Sequence, residues 1–329
     1  MADIILQNID FTINKGFSNR GNTCFYNSTL QPIFKCNDLI IALQKYDGEN
    51  KLLKYLKITI EDYYLKPNVD TIGPVLLLRS YREMNVNYMG GTQDCARECL
   101  TYFLDNFDMA TEKEGINIKP LFDCNLVSHL KCTKCNYESE MNVSEKLIVL
   151  PIMSADRSKL YNNYDDAMAD FLSEEILTDD NKLECEKCNS VVNDLLMPTN
   201  YAQIENDSPV VKSPKIKVDA KKSLVIKGTP KYLFIALKRF INDYIKEKNQ
   251  IKTSKFNHDV LMPTNINING VDYVIKGSIH HMGGLNGGHY IYFHKFGGTW
   301  TLFDDDTIVP DRTDDFITTK GYIYLYERV

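Results

Sequence analysis

The chain has 329 residues, 43% of them hydrophobic, enough to bury a sizeable core. Its formal charge of -6 comes from 38 basic and 44 acidic residues mixed along the chain, which excludes the basic stripe that a phosphate backbone requires, so nucleic acid is not an expected partner. No segment approaches the apolar length of a membrane span, Met1 to Lys15 lacks a basic start and a long apolar run, and Glu327-Arg328-Val329 is no prenylation box, so a soluble, intracellular (cytoplasmic or nuclear), monomeric protein is expected.

In chain order, the first feature is a polar, glycine-containing segment from Gly16 to Cys24 that runs into a helical pattern with apolar positions at Tyr26, Leu30, Ile33 and Phe34. A thiol at a helix N-terminus meets free N–H groups and the positive end of the helix dipole, which favour the nucleophilic thiolate. The same N–H groups suit a developing oxyanion, and Asn19 adds a side-chain amide donor. Taken alone, Cys24 reads more readily as a small buried hydrophobe, and local context does not settle its role. The helix, predicted to continue to about residue 46, should kink at Pro32, which has no N–H for the carbonyl four residues back. A second buried helix is predicted over residues 95–107, with Cys95, Cys99, Phe103 and Phe107 on one face.

From about Cys124 the texture changes to short β-branched and aromatic runs: Glu145 to Leu150, Tyr232 to Phe240, Tyr273 to His280, His289 to Phe296, Thr299 to Asp304 and Gly321 to Tyr326. An amphipathic helix at Tyr164 to Ile176 interrupts them, and the polar stretch Met197 to Lys222 reads as a loop. Cys132-Thr133-Lys134-Cys135 and Cys185-Glu186-Lys187-Cys188 have knuckle spacing for two thiolates each on one structural zinc, four sulfurs leaving no open position. The glycine turn between the strands at 289–296 and 299–304 predicts a hairpin. With Phe296 and Gly297 as its loop, Lys295 faces Gly298 and His289 falls opposite Asp304 on the same face, a base beside a carboxylate that orients it.

These segments together resemble the ubiquitin-specific protease family of papain-like cysteine deubiquitinases. Asn19, Gly21, Asn22, Thr23, Cys24, Asn27, Ser28, Leu30 and Gln31 resemble its Cys box. His281, Gly283, Gly288, His289, Tyr290, Trp300, Phe303, Asp304 and Asp305 resemble its His box, and Leu237-Lys238-Arg239-Phe240 its Leu-Lys-Arg-Phe strand. The resemblance covers roughly residues 16 to 328 and implies one α+β catalytic domain: a helical thumb (about 16–122), zinc-bearing β fingers (about 123–152 and 177–230) and an antiparallel-sheet palm (about 231–329). It implies Cys24 as nucleophile, His289 as base, Asp304 as orienter with Asp305 assisting, Asn19 in the oxyanion role, and zinc on Cys132, Cys135, Cys185 and Cys188. Glu98, Asp94, Tyr290, Gly287 and Gly288 would meet the C-terminal tail of ubiquitin, the implied partner, and the bond after its Gly-Gly would be cut. Cys95 stands where the family usually has aspartate. That departure keeps two other readings open, a non-catalytic ubiquitin-binding scaffold and a protease for another ubiquitin-like modifier.

Overall fold

The computed structural model describes residues 9–44, 46–66, 68–85, 88, 94–190, 215–245, 248–285 and 287–329. Most of the Met197–Lys222 stretch lies outside them. Its end does not stay a loop, because Lys217–Val218 and the residues from Ala220 onward are strands. The chain divides into two compact units, one of Met1–Cys124, Glu145–Met168 and Gly228–Val329, the other of Asn125–Ser144 and Ala169–Lys227.

The first unit begins with a short strand β1 (Gly16–Phe17), paired in parallel with β2 (Thr71–Ile72). Its helices up to residue 122 are α1 (Cys24–Phe34), α2 (Asn37–Gln44), α3 (Lys51–Leu65), α4 (Val75–Met84), α5 (Ala96–Lys113) and the single turn α6 (Lys119–Phe122). The predicted kink at Pro32 is instead a stop. The Lys35 and Cys36 amides turn back to the carbonyls of Pro32 and Ile33 at 3.1 and 3.2 Å, and α2 starts afresh at Asn37. Helix α3, which the sequence reading passes over, carries Lys, Glu and Asp between its apolar positions. Asn50 caps it, its side chain accepting from Leu52 and Leu53 N–H at 3.0 and 3.3 Å, a cap of about 1 kcal/mol. All 11 residues of α1 are buried, because it packs between α5 and the sheet.

That sheet has eight strands: β5 (Ile148–Leu150), β10 (Tyr232–Leu237), β18 (Ile323–Arg328), β14 (Val271–Gly283), β15 (Gly288–Phe296), β16 (Thr299–Asp304) and β17 (Thr307–Arg312) in that spatial order, with β13 (Asn265–Ile268) also on β14. All its pairings are antiparallel except β5 with β10. Strand β10 is buried throughout, as its unbroken run Tyr-Leu-Phe-Ile-Ala-Leu requires. Just beyond it the buried Arg239 guanidinium donates to the carbonyls of Gly321, Phe256, His258 and Thr319 at 2.7–3.3 Å, so its charge is met by four dipoles rather than by a carboxylate. A separate hairpin follows, β11 (Phe240–Ile245) with β12 (Gln250–Lys255). The predicted helix at 164–176 is shorter, α7 (Tyr164–Leu172), and its last residues enter a strand.

The second unit is built on a four-stranded sheet of β4 (Glu138–Glu145), β3 (Cys124–Cys132), β9 (Ala220–Gly228) and β6 (Glu175–Leu177), with a small pair β7 (Leu183–Glu184) and β8 (Lys217–Val218). The fold is α+β, with its helices early and its antiparallel sheet late, as the sequence indicates. Among the described residues no helix is long and apolar enough to cross a membrane.

Candidate active site

Cys24 is the first residue of α1, and no side chain caps the helix at Thr23, so the first-turn N–H groups face the loop that precedes it. That loop is shaped by Asn19. Its Oδ1 accepts from the Gly21 and Thr23 N–H groups at 3.0 and 3.2 Å and from the Thr23 hydroxyl at 3.2 Å. Gly21 at φ 87° and Asn22 at φ 54° take the left-handed backbone that turns the chain into the helix. The loop is also fixed from the far end of the sequence. Phe17 N–H donates to the Asp305 carbonyl at 2.8 Å, and Gly16 lies so close that a Cβ there would stand 2.5 Å from the Asp306 Cα.

His289 lies near the start of β15, where the hairpin brings it to Asp304 at the end of β16. Its Nε2–H donates to Asp304 Oδ1 at 2.5 Å, and the Cys24 thiol lies beside the imidazole. With Nε2 given to the carboxylate, Nδ1 is the nitrogen free for sulfur. The thiol contact and then the Asp304 carboxylate outweigh partial burial and raise the His289 pKa to about 9. The predicted register is off by two. Phe296 pairs with Thr299, leaving Gly297 and Gly298 in the turn, with Gly297 at φ 58°. A two-residue slip preserves the face, and the ladder ends at Tyr292 and Phe303, so the histidine reaches its carboxylate diagonally past the paired region. Cys24 is buried while the His289 and Asp304 side chains are half-exposed, so the thiol is approached from the histidine side.

Asp305 does not contact the histidine as expected. Its Oδ2 accepts from Asn19 Nδ2 at 2.8 Å and its Oδ1 from Asn27 Nδ2 at 2.7 Å. Asn27 donates as well to the Phe17 carbonyl at 3.1 Å. The Asn19 amide is therefore aimed by Asp305 through one of its two N–H bonds. His289, Asp304 and Asp305 lie close enough to be read as metal ligands, but hydrogen bonds to amides and imidazole already account for both carboxylates.

In the second unit Cys132, Cys135, Cys185 and Cys188 converge, their sulfurs all within 4.8 Å of one another. The Cys132–Cys188 and Cys135–Cys185 sulfurs are 3.8 and 3.6 Å apart. That is far beyond a disulfide and matches the edge of about 3.8 Å that tetrahedral metal–sulfur bonds of 2.3 Å generate. Asn136, at φ 55°, closes the first knuckle with its N–H on the Cys132 carbonyl at 3.0 Å. Although burial opposes it, donation from the Cys135 and Lys134 amides lowers the Cys132 thiol to about 7. Burial, with the neighbouring sulfurs, pushes Cys188 up to about 12. Four crowded thiols of this kind are a donor set for a soft or borderline cation.

The model of the ubiquitin carboxyl-terminal hydrolase family matches residues 15–326, nearly the whole chain. The chain belongs to this family. It is 27% identical to ubiquitin carboxyl-terminal hydrolase Usp2 of Drosophila melanogaster, covering 95% of this chain and 34% of that protein. It is 25% identical to the human ubiquitin carboxyl-terminal hydrolase 2, covering 95% and 54%, and 24% identical to ubiquitin carboxyl-terminal hydrolase 4 of Arabidopsis thaliana, covering 95% and 92%. The chain thus spans about a third of the first of these relatives. A solved structure, the SAGA Ubp8/Sgf11/Sus1/Sgf73 DUB module bound to ubiquitin aldehyde, shares the fold at TM-score 0.70 and 19% identity, over 96% of this chain and 69% of that one.

The residues expected to bind substrate in this member of the ubiquitin carboxyl-terminal hydrolase family differ in character. Glu98 stands exposed in the first turn of α5, its carboxylate 3.8 Å from the Arg97 guanidinium. Asp94 is engaged, accepting from the Tyr81 hydroxyl at 3.0 Å and from the Cys95 N–H at 2.8 Å. Cys95 contacts the Tyr322 hydroxyl at 3.1 Å. Tyr290 is buried, its ring 4.5 Å from His281, so it walls the site. Gly287 is exposed with open space at its Cβ position, whereas a Cβ on Gly288 would stand 2.0 Å from His281 Nε2. Only Gly288 is thus sterically required. Beside this hairpin a cavity of about 350 Å³ is lined by Phe240, Lys255, His281, Met282, Gly283 and Tyr322. Lys255 and Tyr322 were not singled out by sequence. No local motif marks a lysine in a polar hairpin, and only its donation to the His281 and Gly283 carbonyls, at 2.9 and 2.7 Å, ties it to the site.

Proposed function

We propose that this protein is a thiol-dependent deubiquitinase that hydrolyses isopeptide or peptide bonds after the C-terminal Gly-Gly of ubiquitin. The observation that carries this reading is the convergence of the Cys24 thiol, at the head of a buried helix, with a His289 imidazole that is hydrogen-bonded to Asp304. With its proton on His289, the Cys24 sulfur attacks the carbonyl carbon. The oxygen takes the negative charge against the Asn19 amide and the first-turn N–H groups of α1. His289 then gives its proton to the departing lysine amine, leaving a thioester on Cys24. Water, deprotonated by His289, attacks that thioester and returns the thiol. The tail residues ahead of the cut bond occupy the cavity beside the hairpin, and the tight packing at Gly288 suits a narrow substrate there.

The four-cysteine cluster would hold one structural zinc, which ties together distant parts of the second unit and takes no part in the chemistry. Free thiols in this number fit an intracellular, reducing location. A ubiquitin probe carrying an electrophile at its C-terminus should label the chain at Cys24, and Cys24→Ala should abolish labelling. A folded, zinc-loaded preparation that the probe does not modify would overturn the proposal.

A further inference from the structure

Three side chains along one stripe of α1 donate to the chain that leads into β1. Asn27 Nδ2 donates to the Phe17 carbonyl at 3.1 Å, Gln31 Nε2 to the Lys15 carbonyl at 2.8 Å and Lys35 Nζ to the Ile13 carbonyl at 2.8 Å. Four residues of helix rise about 6 Å and two residues of extended chain about 6.6 Å, so the rungs keep step. The helix thus serves this segment as a neighbouring strand would, with side-chain donors in place of backbone ones. Tyr63 on α3 closes the middle rung, its hydroxyl accepting from the Lys15 N–H and donating to Gln31 Oε1, both at 3.2 Å.

Lys35, just past the end of α1, is the outermost rung and the one that is costliest to bury. Among the described residues no carboxylate pairs with it, and burial lowers its pKa to about 7. Its Nζ also donates to Asn14 Oδ1 at 3.0 Å. The ring centroids of Tyr63, Phe296, Phe303 and Tyr64 stand 5.1, 5.6, 5.6 and 6.0 Å from that nitrogen, within reach of cation–π attraction. Two of those rings belong to the hairpin that carries the histidine and its carboxylate. Phe303 forms the last pair of the β15–β16 ladder and directly precedes Asp304, so what holds its ring steadies the backbone from which Asp304 reaches out.

Lys35 therefore meets three parts that must stay in register: the far end of the helix headed by Cys24, the segment that leads to Asn19, and the strand that ends in Asp304. It does so from about 16 Å along α1, away from the reacting atoms. A buried charge without a counter-ion is a poor way to hold a fold together, since an apolar side chain of the same length would pack there with no charge to desolvate. We propose that Lys35 is a positioning residue, a cationic clamp that sets the Asn19 loop and Asp304 against Cys24. The inference rests on the deubiquitinase reading for the reaction served, but not for the clamp itself.

The test uses Lys35→Met, which keeps the length of the side chain and loses its donors and charge, and Asn14→Ala at a half-exposed position. On full-length ubiquitin carrying a C-terminal fluorophore, Lys35→Met should lower kcat about tenfold with KM unchanged, as a small misplacement of reacting groups does. Its melting temperature should hold or rise, because a desolvated charge is gone. The Gly16, Phe17 and Ser18 amides, which donate to the Asp70, Asp305 and Ile72 carbonyls, should exchange faster than in the parent. Asn14→Ala should move kcat and exchange in the same direction by less, and should add nothing to Lys35→Met, because both loosen one clamp. Unchanged kcat and exchange, a fall in kcat matched by a fall in melting temperature, or additive effects of the two substitutions would each overturn the clamp. A parent that cleaves no ubiquitin fluorophore defeats the deubiquitinase reading instead, and the exchange rates of the same variants then decide on Lys35.

Discussion

His289 is held protonated by its two partners, and that has a measurable consequence for rate. Its pKa, raised first by the Cys24 thiol and then by Asp304, lies at about 9, so the imidazolium that protonates the leaving amine persists through neutral pH. The kcat/KM should therefore fall as pH rises through about 9. In Asp304→Ala that alkaline limb should move downward, because a raising influence is gone, with a rate loss of about a hundredfold or more. An alkaline limb that stays in place in the variant would contradict this account of His289. The three residues of this line were legible because each stands in a local pattern: a thiol after a glycine-containing turn, a histidine and an aspartate on facing strands. The register was misjudged by two because Phe-Gly-Gly offers two turns of equal length, and only parity, not position, survives such an ambiguity. The role of Asp305 was not legible. Its partner Asn19 lies 286 positions away, and nothing local distinguishes a carboxylate that steadies an imidazole from one that aims an amide.

At the scale of elements, strands with continuous apolar or aromatic runs were recognised, whereas helices with charge between their apolar positions, such as α3, were not. Propensity is a weak guide where the packing of one face decides. The two Cys-x-x-Cys pairs announced a common site because knuckle spacing is itself the chemistry. Zinc analysis of protein purified without chelators should give about one metal per chain, as four sulfurs on one ion require. Removing it, or making Cys185→Ser, should speed amide exchange around β7, β8 and the end of β3 while Cys24 keeps its reactivity toward thiol reagents, since the catalytic line lies wholly in the other unit. Simultaneous loss of both would show that the cluster supports the catalytic unit directly.

Over the whole molecule, two buried histidines contribute to the acid sensitivity of stability. His280 is buried against Phe293 and Phe316 with the Ser278 hydroxyl at 2.9 Å, and burial, with Arg239 nearby, lowers its pKa to about 3. His294 is likewise buried, near Lys35 and Lys276, and held well below its ordinary value. Unfolded, both would titrate near 6.5. Their contribution is thus intact above about 6.5 and is lost as pH falls toward 3, because the unfolded chain takes up protons that the folded one refuses. The slope from these two groups approaches at most about 1.4 kcal/mol per pH unit for each. The urea midpoint should drop between pH 7 and 5, and His280→Gln should flatten that slope. An unchanged slope would locate the acid sensitivity elsewhere.

The clasp of Phe17, Asn19 and Asn27 on Asp305 binds the earliest described strand to a turn that follows β16, far along the chain. Asp305 lies 286 positions after Asn19, and all of them must be made before that amide can be held. Long-range closure of this kind is slow to form, so the loop before Cys24 is expected to be among the last parts of the fold to be fixed.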